Sequence, residues 1–163
     1  MRVMIAGVGH PNLRDLSIGP ALVPTLRDMT WPDEVDVDDW SFGPIAVVQR
    51  IEDRPGHYER IVLLSAVERG LEPGTVTCSR WGGALPDAEE IQARIGEAVM
   101  GIISIDNLLI VGEHFRAWPS DVRVVEVEPD ACEFGMDFSP RIAASLDDIV
   151  AAVRRAALDE DHG

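Results

Sequence analysis

The feature that most constrains this chain is a run of four aliphatic side chains, Ile61-Val62-Leu63-Leu64. A strand with one wet face alternates apolar and polar residues. An uninterrupted run must bury both faces, as a parallel strand between two helical layers does. A second apolar segment, Arg2–Ala6, ends on Gly7-Val8-Gly9 and reads as another buried strand. Further strands are expected at Glu34–Asp38, where Val35 and Val37 alternate with acids, and at Thr75–Cys78 and Val122–Val127.

Helical spacing fills the intervals. The pattern predicts helices over Leu16–Met29, Pro44–Ile51, Asp87–Ile103, Asp106–Phe115 and Pro140–Leu158. Pro20 suits a first turn, Pro24 is expected to kink its helix, and Asp87 is an N-cap with Glu89 and Glu90 in the first turn. Strands alternating with helices specify an α/β fold with a mainly parallel sheet. The expectation is one domain over residues 1–158, then an acidic tail over 159–163. That length suits a single core.

Charge narrows the function. Fourteen basic residues against 29 acidic ones leave a formal charge of −15, which excludes nucleic acid and anionic membrane surfaces as partners. Every basic residue is arginine, so no lysine Schiff base and no phosphate-loop lysine can form. Cys78 and Cys132 have no metal or redox spacing and are expected as reduced thiols in a cytoplasm. No targeting segment is expected, and no apolar run approaches the roughly 18 residues of a membrane span.

In open α/β sheets ligands gather at the carboxyl ends of the strands. Three loops qualify: Gly7–Asp15, Asp38–Gly43 and Ser65–Gly70. They supply the imidazole of His10, the carboxylates of Asp15, Asp38, Asp39 and Glu68, and the hydroxyls of Ser41 and Ser65. This set suits a cation or a polar peptide. Gly7 and Gly9 open a dinucleotide-type glycine pattern, but Asn12 stands where its third glycine belongs. Blander roles are also open: a backbone bond for His10, loop amides for Asp15, a self-made turn for Asp38 and solvent for Asp39. Glu68 is expected to pair with Arg69 or face water. Trp31, Trp40, Trp81 and Trp118 sit in or beside loops, as groove lining or as cover over strand ends. Ser65 lacks the nucleophile-elbow context, and His57, His114 and His162 occupy a turn, a helix surface and the tail.

These motifs resemble one family. Gly7-Val8-Gly9 with Pro11, Leu13, Asp15, Ile18 and Gly19 looks like the amino-terminal signature of the [NiFe]-hydrogenase maturation proteases. Asp38 through Ser41 to Gly43 is similar to the family's second loop. Ile61–Leu64 with Gly70 and Glu72-Pro73-Gly74-Thr75 looks like its central strand and turn, and Val122–Pro129 with Phe138-Ser139-Pro140 like its carboxy-terminal pattern.

The resemblance implies a twisted, mixed, mainly parallel five-stranded sheet between helices. It also implies removal of the carboxy-terminal extension of a hydrogenase large-subunit precursor after nickel insertion. The metal would be the precursor's own nickel, with no intrinsic cofactor. The family reads that nickel with an acid in the first helix, an Asp ending the third strand and a later His. Here those positions hold Leu16, Ser65 and the histidine-free stretch Glu97–Gly101. Neither an aliphatic chain nor a neutral hydroxyl is a good nickel ligand. On the protease reading, His10, Asp15, Asp38 and Ser65 are the catalytic candidates, with Glu97 a weak oxygen ligand. Gly7, Gly9, Ser41, Gly43 and Glu68 would bind substrate. The alternatives are a non-catalytic binding or assembly module for a hydrogenase subunit or other protein, and an unrelated α/β role.

Overall fold

A computed structural model describes residues 1–32 and 34–159. Its strands are β1 (Val3–Gly7), β2 (Val35–Asp39), β3 (Arg60–Ala66), β4 (Val76–Arg80) and β5 (Asp121–Val127). They form a five-stranded sheet in the order β2-β1-β3-β5-β4. Every neighbouring pair is parallel except β4 with β5. The helices are α1 (Ile18–Asp28), α2 (Pro44–Glu52), α3 (Ala88–Val99), α4 (Ile105–His114), α5 (Pro140–Ala143) and α6 (Leu146–Leu158).

The aliphatic run behaves as its lack of alternation requires. All seven residues of β3 are buried. Val62 and Leu64 point toward α1 and α6, joining Ile18, Leu26, Ile149 and Val153. Ile61 and Leu63 point the other way, joining Trp40, Val47, Leu108 and Val124. Each such side chain stabilises the fold by about 1.5–3 kcal/mol relative to exposure. The α3 helix forms an outer tier: Ala98 meets Val48 of α2 and Val111 of α4.

Three helix boundaries differ from the sequence reading. Arg14–Ser17 forms a 3₁₀ turn, so the α-helix starts at Ile18 rather than at Leu16. The expected helix at Asp87–Ile103 stops at Val99, and Gly101 follows with φ +79°. The carboxy-terminal helix divides at Ala144-Ser145. Pro24 sits inside α1 on its exposed side, where only solvent-facing backbone loses a donor. Asp87 caps α3, its carboxylate accepting from Glu90 N at 2.8 Å. Residues 160–163 of the expected tail, His162 included, lie outside the described residues.

Close approach at one glycine positions the strand-end loops. A Cβ on Gly19 would lie 2.5 Å from Val8 N and 2.6 Å from Leu64 O, so only glycine lets α1 seat against the ends of β1 and β3. The glycine-rich start therefore serves packing as well as turning.

Candidate functional site

The carboxyl ends of β1, β2 and β3 are tied together by backbone and hydroxyl groups. Val8 N donates to Leu64 O (2.9 Å), and Trp40 N donates to Gly7 O (2.8 Å). Ser65 Oγ donates to Val8 O at 2.6 Å. Ser41 Oγ accepts from Gly9 N at 3.0 Å. Gly43 opens α2 with φ +105°, a left-handed backbone that glycine tolerates. The sequence thus brings Gly7, Gly9, Ser41 and Ser65 onto one face.

The loop after β1 also pairs with the segment after β5. Gly135 N donates to Asn12 O (2.7 Å), Arg14 N to Gly135 O (3.1 Å) and Asp15 N to Ala131 O (2.9 Å). Arg14 forms an ion pair with Glu133. Asn12 is where the dinucleotide pattern breaks, and its φ of +69° is one that asparagine adopts more readily than most residues.

Asp15 is completely buried. Its carboxylate accepts from Asp130 N (2.9 Å), Ala131 N (2.8 Å), Ser139 N (2.8 Å) and Ser139 Oγ (2.7 Å). Burial opposes its ionisation, but the hydrogen bonds, led by that from Ser139, prevail and hold the carboxyl below its ordinary range. The amides it serves belong to the β5–α5 loop. Loop amides are its partners, as the blander of its expected roles has it, but they come from a loop distant in sequence.

The remaining candidates are separated. Asp38 faces Arg50 (2.6 Å) and also accepts from Asp39 N and Trp40 Nε1. The self-made turn belongs instead to Asp39, which accepts from Ser41 N and is not merely solvated. Glu97 lies on α3 beside Arg94 (3.5 Å). Glu68 is exposed to water, one of its two expected roles, and does not pair with Arg69; its carboxylate also sits against the Cys132 thiol. Burial, then the Glu68 carboxylate, pushes that thiol up to about 11, so it stays protonated at neutral pH. His10 is half-buried, its backbone N–H donating to Leu16 O. Leu16 packs against the core around α1 and α6. Among the described residues, no group of three His, Cys, Asp or Glu side chains is placed to hold a metal ion. Trp40 is buried, while Trp31 and Trp118 bond backbone carbonyls with their indole N–H groups. The tryptophans cover different parts of the core.

Sequence reasoning missed an ionic bridge at this end. Arg69 donates both terminal nitrogens to Asp106 (2.9 Å each) and also bonds Glu126 (3.0 Å). These charge-assisted bonds raise its affinity for the proton, so it is always cationic. Beneath it, buried Glu128 accepts from Arg69 N (2.9 Å) and Leu71 N (2.7 Å). The legible signal was the period-two placing of Glu126 and Glu128 at the end of a strand. The pairing with Asp106 spans 37 residues and had no local signature.

Chemically, this face offers amides, carbonyls and hydroxyls in fixed positions, with His10 beside them. Ser65 gives its proton to a carbonyl and has no base partner among the described residues, so it is not an activated nucleophile. No family model matches the chain, and no curated protein matches it. Solved structures do. The hydrogenase 2 maturation peptidase from a Thaumarchaeota archaeon superposes with a TM-score of 0.67 at 25% identity, covering 99% of this chain and 100% of that one. The chain shares the fold of the hydrogenase maturation peptidases. The hydrogenase maturating endopeptidase HybD from E. coli (TM-score 0.68, 21% identity) covers 94% of this chain and 90% of its own. The [NiFe] hydrogenase maturation protease HybD from Thermococcus kodakarensis (0.65, 21%) covers 96% and 99%. The mixed sheet between helices is thus the maturation-protease architecture. Among the described residues no helix is long and apolar enough to cross a membrane.

Proposed function

We propose that this chain is a hydrogenase maturation protease-like protein that removes the carboxy-terminal extension of a [NiFe]-hydrogenase large-subunit precursor after nickel insertion. The observation that carries the reading is end-to-end structural likeness to maturation peptidases, 99% of this chain against 100% of the archaeal one. The strand-end face, with Gly7, Gly9, Ser41 and Ser65, receives the extension as an extended peptide. His10 stands beside it as the titratable group. The nickel enters with the precursor as part of the substrate.

A second reading, binding without cleavage, is favoured by one specific observation. Of the side chains at the family's nickel-reading positions, Leu16 packs against the core and Ser65 donates its hydroxyl to Val8 O. Purified chain incubated with the nickel-loaded large-subunit precursor from its own genome separates the readings. A shortened precursor by mass supports proteolysis. An uncut precursor that co-purifies supports the binding module. A precursor neither cut nor bound overturns both.

A further inference from the structure

A concavity of about 220 Å³ lies at the amino ends of β3 and β5, at the opposite end of the sheet from the strand-end loops. It opens between the α2–β3 and α4–β5 connections. Its walls include Ile51, Tyr58, Ile61 and Trp118, and its polar lining is Glu52, Arg54, His57 and Arg116. The walls are held in place. Trp118 Nε1 donates to Leu109 O at 3.0 Å, and any side chain at Gly112 would overlap the indole. Tyr58 Oη donates to Asp36 at 2.6 Å, and the His57 ring packs edge-on to the phenol.

The arginines single this place out. Nine of the 14 pair with carboxylates, as expected at a net charge of −15. Arg27 and Arg154 donate to backbone carbonyls. Of the three that remain among the described residues, Arg54 and Arg116 line this one concavity. The Arg54 guanidinium lies 3.4 Å from His57 Nδ1, and Arg2 approaches the same nitrogen at 3.5 Å. Because guanidinium only donates, Nδ1 is the acceptor and His57 Nε2 carries the proton. Arg116 is presented from a left-handed backbone with φ +55°, a conformation uncommon for a non-glycine residue.

The geometry points to a binding site for a small oxyanion, carboxylate or phosphate, carried on a flat apolar body of about one ring. Two unpaired guanidiniums supply the fork that such groups take up, and one carboxylate, Glu52, does not cancel them. The fixed aromatic and aliphatic walls take the apolar body. The volume falls below the roughly 300 Å³ at which ordinary cofactor pockets begin, so a nucleotide does not fit.

The test is amide and indole NMR of the full chain titrated with benzoate, phenyl phosphate and neutral benzamide. Saturable shifts at His57 and the Trp118 indole N–H with benzoate or phenyl phosphate are expected, and the tighter of the two names the source of the oxyanion. Benzamide should bind about tenfold more weakly. Arg54→Gln and Arg116→Gln should each lose about tenfold in affinity, and Arg155→Gln, on α6, should lose none. Rising salt should weaken binding to the native chain, a measurement independent of any variant. No saturable shift, equal binding of benzamide, or an Arg54→Gln/Arg116→Gln double variant that binds like the native chain would overturn the site.

Discussion

The two ends of the sheet bury charge for opposite purposes. At the carboxyl end, one buried carboxylate, Asp15, collects donors: three loop N–H groups and a hydroxyl. At the amino end, two buried guanidiniums collect acceptors. Arg60 donates to Ala157 O (2.8 Å), and Arg123 to Ala156 O (3.1 Å) and Asp159 O (2.7 Å). Those carbonyls are the unsatisfied end of α6, where a cation also meets the negative end of the helix dipole. Asp121 balances both arginines at 2.8 and 3.0 Å. Loops expose N–H groups and helix carboxyl ends expose C=O groups, so each end recruits the opposite charge. Buried charge in this molecule is therefore mainly an architectural device, and an acid in the family-like signature is not on that ground a ligand.

Removing the Asp15 carboxylate tests this most severely. Asp15→Ala leaves four buried donors without their acceptor and should cost about 4 kcal/mol in urea unfolding. A loss under about 1 kcal/mol would mean that water replaces the carboxylate and that the site is wetter than its burial indicates. Next in size, Arg123→Met uncaps α6 and half-strips Asp121 of its partners, with about 3 kcal/mol expected. An unchanged midpoint would show that Arg60 alone suffices.

Acid sharpens the same contrast. Burial disfavours the charged forms of both Asp15 and Asp121, yet their hydrogen bonds outweigh it and lower both carboxyls from 3.8. A carboxyl depressed in the folded state contributes stability that is full above its unfolded value and is lost as pH falls through the folded one. Urea midpoints should therefore hold steady down to about pH 4 and fall below it. Asp15→Asn should flatten that fall, and an equally steep fall in Asp15→Asn would assign the acid sensitivity elsewhere. The smallest effect is expected from Ser41→Ala, which removes the acceptor of Gly9 N for about 1 kcal/mol. If Ser41 is also a substrate contact, precursor binding should weaken by more than the stability loss explains.

The apolar pattern made most of the architecture legible. The unbroken aliphatic run placed β3 at the centre of the sheet, and the 3.6-residue spacing located the helices within a few residues. The misplaced boundaries lie at Leu16-Ser17, where a 3₁₀ turn precedes α1, at Gly101, where a left-handed backbone follows the end of α3, and at Ala144-Ser145. The site was less legible. Gly7, Gly9, Gly43 and Ser41 were legible as strand-end loop residues because turn chemistry is local. The partners of Asp15 were not, since they lie 115 to 124 residues further on.

By itself the sequence determined the order of elements and the double-sided burial of β3. Both are properties of side-chain type and short-range period. Only the tertiary structure decided which charge serves which backbone group. It turned Asp15 toward the β5–α5 loop, Arg69 toward Asp106, and Arg54 and Arg116 toward a shared concavity. Such pairings depend on where the chain returns in space, and neither hydrophobic period nor turn propensity encodes that return.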